Sequence, residues 1–303
     1  FNASTAALDD VKSGAYTLAS DDQWQFVQFG NSIYAASGLS NLLQKYTLGS
    51  SSTFADVSGS PKAKFLAVIR DFVVTAHNNT SSTNNPFRVQ WSQINDADTW
   101  TVGSNQADFQ DIPDAGNITG LVGGDFGVVL LERGIARMQY VGSPLIFTFD
   151  MVETGHGCDI PNSIAALAPT QVFYLASDGF FMFNGERSIP IGAEKVDSFF
   201  FDDSSPHDLD RMSCSIDPIN QVVAWSYVSA ENAAGTPDKM IMYNYSVGRW
   251  SLAELEHEFI GTIISPSFTL EALATISSSL DALGTSLDSR FFRGGQSAFA
   301  ASS

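Results

Sequence analysis

Leu121-Val122-Gly123-Gly124-Asp125-Phe126-Gly127-Val128-Val129-Leu130-Leu131 sets two short apolar runs on either side of a turn made of glycines and an aspartate. Runs this short, rich in Val and Leu and bounded by Gly and Asp, are paired strands rather than pieces of a helix. The same grammar recurs at Phe26 to Ala36 around Gly30-Asn31 and at Phe65 to Ala76 around Arg70-Asp71. It returns at Val172 to Phe183 around Ser177-Asp178-Gly179, and at Ser213 to Tyr227 around Asp217-Pro218-Ile219-Asn220. Several of these hairpins are followed by a second pairing, in which a strand ending in an aromatic crosses a polar turn to another aromatic. Tyr46 leads to Phe54, Trp91 to Trp100 through Asn95-Asp96-Ala97-Asp98, and Tyr243 to Trp250 through Ser246-Val247-Gly248-Arg249. Hairpin plus hairpin makes a four-stranded unit.

The units begin near residues 26, 65, 121, 172 and 213, a period of roughly 40 to 50 residues, which is that of propeller blades. A sixth begins near Glu258-Phe259-Ile260-Gly261-Thr262-Ile263-Ile264. A twisted four-stranded sheet cannot bury both faces alone, so blades stack and each covers its neighbour's apolar face. The predicted fold is therefore all-β, a β-propeller of about six four-stranded blades over residues 24–303, with the final blade truncated at the C-terminus. Residues 1–23 form an N-terminal segment that supplies a closing strand, and Asn78 to Asn85 reads as a projecting Ser/Thr/Asn loop. Leu270, Leu273, Ile276, Leu280, Leu283 and Leu287, mostly three and four apart, predict a short amphipathic helix near 270–288. The competing architecture is a large β-sandwich. The opening Phe1-Asn2-Ala3-Ser4 and the abrupt end after Phe291-Phe292-Arg293-Gly294-Gly295 read as those of a fragment or processed chain.

Composition narrows the function. The chain has 303 residues, 15 Lys and Arg against 33 Asp and Glu, a net charge of −18, and 44% hydrophobic residues including 23 Phe. That apolar load excludes intrinsic disorder. The acidic balance argues against a nucleic-acid grip, which depends on Lys and Arg displacing counterions from phosphate. No window approaches the run of about 18 apolar residues that spans a bilayer, so a soluble chain without membrane insertion is expected. Two cysteines, Cys158 and Cys214, cannot make a disulfide framework and read first as small buried hydrophobes, pairing being the alternative.

Catalytic chemistry finds little footing. His156, in Gly155-His156-Gly157-Cys158-Asp159, has no partner at zinc-ligand spacing, and His77, His207 and His257 read as surface histidines. Asp96, Asp98, Asp125, Asp178 and Asp217 fall in turns, where Asp caps its own backbone. Gly123-Gly124-Asp125-Phe126-Gly127 lacks the Lys and Ser/Thr of a phosphate loop, and Ser246 to Trp250 matches the Asp-box turn of sialidase-like propellers only without its Asp. Sequons stand at Asn2, Asn78, Asn79, Asn117 and Asn244. No catalytic, cofactor-binding or metal residue is assigned, and the chain is not expected to be an enzyme.

The order of the motifs carries a resemblance. Arg88-Val89-Gln90-Trp91-Ser92 is followed by Asp98-Thr99-Trp100, then by Gly116-Asn117-Ile118-Thr119-Gly120-Leu121, and then by Leu131 to Gly142 through Glu132-Arg133-Gly134. Gly155, Gly157, Pro161 and Ser163 come next, and Ser177-Asp178-Gly179-Phe180-Phe181-Met182-Phe183-Asn184-Gly185 closes the series. Over roughly residues 24 to 250 this order resembles the propeller proteins that form the tail tube or nozzle of short-tailed bacteriophages, the packaged-DNA stabilisation proteins. The resemblance implies a structural virion protein, assembled in the host bacterial cytoplasm. It would form a ring, expected to be hexameric, beneath the head-tail adaptor or portal, next to tail fibres or a tail needle. Packaged double-stranded DNA would pass through its lumen without specific binding and be retained until ejection. Such proteins are usually longer than this chain. The alternatives are a secreted or surface propeller that binds or hydrolyses glycans, and a scaffold propeller of the WD type, which lacks the Gly-His and Trp-Asp pair at each repeat.

Overall fold

A computed structural model describes residues 9–19, 22–80, 82–264, 286 and 297–302. The chain is all-β, with five four-stranded antiparallel blades of propeller type and one short α-helix among the described residues. The first holds β1 (Gln25–Phe29), β2 (Ser32–Ala36), β3 (Gln44–Thr47) and β4 (Ala55–Asp56), and the second β5 (Lys62–Ile69), β6 (Phe72–Thr80), β7 (Thr83–Trp91) and β8 (Asp108–Asp111). The third holds β9 (Ile118–Val122), β10 (Gly127–Leu131), β11 (Gly134–Gly142) and β12 (Ile146–Thr154). The fourth holds β13 (Ala165–Ala168), β14 (Gln171–Ala176), β15 (Gly179–Phe183) and β16 (Ser188–Pro190). These four belong to one compact unit, residues 1–193. A second unit, residues 194–303, contains α1 (Asp197–Asp203), a blade of β17 (Ser213–Asp217), β18 (Val222–Tyr227), β19 (Lys239–Asn244) and β20 (Arg249–Glu254), and the two-stranded sheet of β21 (Phe259–Ile264) and β22 (Ser297–Ser302).

The expected count of six is thus corrected to five blades among the described residues. The segment near Glu258 pairs with β22 and packs on the fifth blade instead of opening a new one. Ile260 N donates to Ser213 Oγ at 3.1 Å, and Ile260 lies in an apolar cluster with Ala224 and Met240. The helix expected near 270–288 falls outside the described residues, Ser286 excepted.

In the first unit the core lies between blades, as the stacking argument requires. Tyr34, Leu43, Leu66 and Val73 join blades one and two. Phe72, Trp91, Leu121 and Phe147 join two and three, and Val128, Leu130, Tyr174 and Phe183 join three and four. Phe72, Phe183 and Leu130 are almost wholly buried, each such side chain contributing about 1.5–3 kcal/mol from leaving water. The Gly123-Gly124 turn has a second task, because Gly124 O accepts the backbone N–H of Arg70 at 2.9 Å. A Cβ on Gly123 would lie 2.1 Å from the carbonyl oxygen of Val68.

Three local expectations change. Asn78 to Asn85 is not a loop. Asn78 pairs with Asn85, Asn79 with Asn84 and Thr80 with Thr83, so β6 and β7 continue almost to their tip, where Ser82 takes φ 67°. The strand after Trp91 does not begin at Trp100, because Trp100 is buried in a corner with its indole N–H donated to Ala97 O at 2.9 Å, and β8 starts at Asp108. In the fourth blade the hairpin read at Val172 is the middle pair, β14 and β15. Its first strand, Ala165–Ala168, is four residues long, three of them alanine, with its one large side chain, Leu167, exposed.

α1 lacks a side-chain N-cap and carries Asp202 and Asp203 at its C-terminal end, against the helix dipole. Tertiary contacts offset that cost. Phe200 is buried, and Asp203 receives Tyr227 Oη at 2.7 Å and Lys239 Nζ at 2.6 Å.

Candidate functional site

Each unit carries a concave surface, and the two differ in chemistry. In the first unit the N-terminal segment crosses the first blade. Phe54 N donates to Val11 O at 2.8 Å, Asn41 exchanges hydrogen bonds with the backbone of Thr17, and Tyr16 Oη donates to Gln44 Oε1 at 3.3 Å. Asp22, its side chain only 3% exposed, accepts Ala19 N at 2.9 Å, lies 3.8 Å from Lys64 Nζ, and sits against Gly38, where φ is 87° and a Cβ would meet the carboxylate at 2.2 Å. Between segment and blade is a cavity of about 360 Å³ walled by Tyr16, Trp24, Phe26 and Phe54. Tyr16 meets Trp24 edge-on with centroids 4.9 Å apart, and Trp24 stacks on Phe26 at 6.0 Å. Phe26 is 59% exposed, on the outward face of β1. At the rim Lys12 Nζ lies 2.9 Å from Asp10, whose carboxyl is held below its ordinary range by that hydrogen bond.

The second unit has a polar hollow of about 510 Å³ lined by Glu231, Asp238, Lys239, Glu254 and Glu256. Its charges are partly committed. Asp238 accepts both the N–H of Ser229, at 2.7 Å, and its hydroxyl, at 2.6 Å. Burial works against the Asp238 carboxylate, but these bonds hold its pKa below the ordinary value. The bond to Asp203 raises the pKa of Lys239.

Two of the five turn aspartates, Asp96 and Asp217, cap their own turns as the sequence predicts, whereas Asp98 binds Tyr34 and Lys45 instead. Asp96 accepts Asp98 N at 2.9 Å and the Thr99 hydroxyl at 2.8 Å, and Asp217 accepts Ile219 N, Asn220 N and Asn220 Nδ2. Asn244 caps the Ser246 to Trp250 turn, accepting Ser246 N, its hydroxyl and Val247 N. Asp178 lies 3.3 Å from His156 Nε2, and His156 packs edge-on against Phe181 at 4.2 Å. Cys158 and Cys214 are thiols, and burial pushes Cys158 up to about 12, leaving it protonated and unreactive.

Histidine placement departs from expectation. His207 is exposed, but His77 is only part-exposed and His257 is buried, with Ser226 Oγ on one ring nitrogen and Leu255 O on the other. The Ser226 hydroxyl inside β18 made room for it, a pairing 31 residues apart that no local pattern signals. Asn78 is wholly buried, and its side-chain amide has no hydrogen-bond partner. Among the described residues no group of three or more His, Cys, Asp or Glu is placed to hold a metal ion, and no helix is long and apolar enough to cross a membrane.

The aromatic cavity was missed in the sequence because its walls come from separate elements. The available signal was Trp24, just ahead of the edge strand β1, and Phe26 within it, two residues apart.

The sequence matches no protein-family model and no curated protein. Among solved structures it is similar to apo AztD from Citrobacter koseri, at 11% identity over 77% of this chain and 59% of that one, with a TM-score of 0.37. It is also similar to the extracellular domain of the putative one-component system BT4673 from B. thetaiotaomicron, at 13% identity over 85% of this chain and 30% of that one, with a TM-score of 0.45. The chain therefore spans less than two thirds of either structure, and neither supplies it with a site or an activity.

Proposed function

We propose that this chain is a structural protein of a short-tailed bacteriophage tail, a subunit of the nozzle ring that lies below the head-tail adaptor and prolongs the DNA channel. The observation that carries the reading is the ordered series of motifs from Arg88 to Gly185, which spans blades two to four. Its members do structural work. Trp91 packs between blades two and three, Trp100 fills the corner after β7, Glu132 and Gly134 shape the β10 to β11 turn, and Ser163 ties the approach to β13 onto β14 by accepting Leu175 N at 2.8 Å.

Charge supports the same reading. The net charge is −18, and several of the few cations are committed to partners within the chain. Arg88 makes a two-pronged bond to Asp111 at 2.7 and 2.9 Å, Lys239 is bound to Asp203, and Arg70 and Arg137 lie over the rings of Tyr140 and Phe126. A channel wall with few cations to offer phosphate lets duplex DNA slide. The hexameric ring, the portal or adaptor contact, the neighbouring fibres or needle and residence in the virion all belong to this proposal.

Mass photometry and negative-stain microscopy of the protein, alone and mixed with portal or adaptor rings, test it. Channelled rings that dock on the adaptor and show no measurable DNA affinity at physiological salt are expected. A monomer that ignores tail components and is retained on a glycan array would replace this reading with the carbohydrate-binding one, and a net basic lumen would remove the sliding argument.

A further inference from the structure

The third blade ends in a hairpin that outruns its own inner strands. β11 and β12 are nine residues each, whereas β9 and β10 are five. β10 pairs with β11 only from Gly134 to Met138, so residues 139–148 run on as a two-stranded ribbon. One face of the ribbon is anchored. Phe147 meets Phe72 and Trp91 edge-on at 5.1 and 5.0 Å, and Tyr140 donates its hydroxyl to Gln106 at 3.0 Å. The other face is bare, with Val141 50% and Leu145 67% exposed. An apolar tip held rigidly outward by an aromatic base has the form of a preorganised docking element.

Electrostatics narrows the occupant. From Met138 to Phe149 there is no charged residue, the stretch being bounded by Arg137 and Asp150. Copies of a chain carrying −18 repel one another, so surfaces at which they meet are those depleted of charge. A matching surface exists on the same unit. The cavity on the first blade has walls of Trp24, Phe26 and Phe54, and its charged residues, Asp9, Asp10 and Lys12, stand at the rim, with Lys12 2.9 Å from Asp10. Its volume of about 360 Å³ falls in the range of about 300–1,000 Å³ that encloses a ligand. A knob and a socket at different places on one chain make a heterologous contact, which propagates from copy to copy and closes into a ring when the rotation permits.

We propose that the outward tip of the β11–β12 ribbon, Val141 and Leu145, seats in the aromatic cavity of a second copy of this chain. The inference rests on the ring-forming part of the nozzle reading and names its contact. The test uses Leu145→Cys and Phe26→Cys in a Cys214→Ser background, treated with a short bismaleimide that bridges two thiols. The double variant is expected to give a ladder of covalent multimers, equimolar single variants only dimers, and either single variant alone neither. Leu145→Asp and, independently, Val141→Asp are expected to lower the fraction of assembled particles at least tenfold, with circular dichroism and melting temperature unchanged because both positions face solvent. Rings that form without a ladder and tolerate both aspartates would overturn this contact and leave the nozzle reading standing. Absence of association, alone or on adaptor rings, would overturn both.

Discussion

Tyr34 Oη donates to Asp98 Oδ1 at 2.9 Å, and Lys45 Nζ lies 2.5 Å from the other oxygen of the same carboxylate. Tyr34 and Lys45 stand on the first blade and Asp98 in the corner after β7, so one carboxylate ties two blades whose strands share no ladder at this point. Asp98→Ala strands the hydroxyl of a tyrosine that is 4% exposed, at an expected cost of about 1–3 kcal/mol. Urea unfolding measures it as a lower midpoint with an unchanged slope, and Tyr34→Phe in the same background should recover part of the loss.

Tyr34, Tyr174 and Tyr227 are all buried, and burial raises the pKa of each phenol above its ordinary 10.0. A folded-state pKa above the unfolded one gives stability that is full below the unfolded value and is lost as pH rises towards the folded value. The melting temperature is therefore expected to hold up to about pH 10 and fall beyond it, as pH-resolved calorimetry would record. A flat profile to pH 11.5 would contradict it.

Asp217 gives the opposite slope. Burial disfavours its carboxylate, yet bonds from Asn220 and Ile219 hold its pKa below 3.8. Its contribution is complete above the ordinary carboxyl pKa and is lost as pH falls through the lowered one. Asp217→Ala should cost about 1–2 kcal/mol at pH 7, with the deficit shrinking in acid denaturation below about pH 3.

Gly123 lies against blade two. Gly123→Ala places a methyl 2.1 Å from Val68 O, a backbone atom that cannot swing aside, and costs about 1–3 kcal/mol or more. Gly30→Ala, in an open turn with φ 59°, meets nothing within 4 Å and carries only the left-handed backbone penalty. Paired thermal melts should rank the first well below the second.

Asn78 offers a gain. Its side-chain amide is buried without a partner, and Asn78→Leu removes that desolvation at similar volume for an expected rise of about 1–2 kcal/mol. Chemical denaturation reads it directly, and a destabilised variant would mean that the amide is satisfied by ordered water.

Much of the fold was legible because its strands are short, apolar and punctuated. Phe26 to Ala36 and Ser213 to Tyr227 became hairpins with their turns at the residues the sequence marks. Asn78 to Asn85 was not legible, since Asn and Thr favour loops until cross-strand pairing overrides propensity. Ala165–Ala168 and α1 were too short and too weakly patterned to register. The cavity on blade one, the His257–Ser226 pair and the Asp98 tie depend on residues far apart in the chain, and no window of sequence holds both halves of such a contact.

The burial of Asn78 also bears on where such a chain can be made. Its sequon is complete in Asn78-Asn79-Thr80, yet the side chain that would accept the sugar is 0% exposed and wedged inside the second blade. Oligosaccharide transfer acts on the nascent chain before blades close, so in a eukaryotic secretory pathway the attached glycan and the finished β6–β7 hairpin would exclude each other.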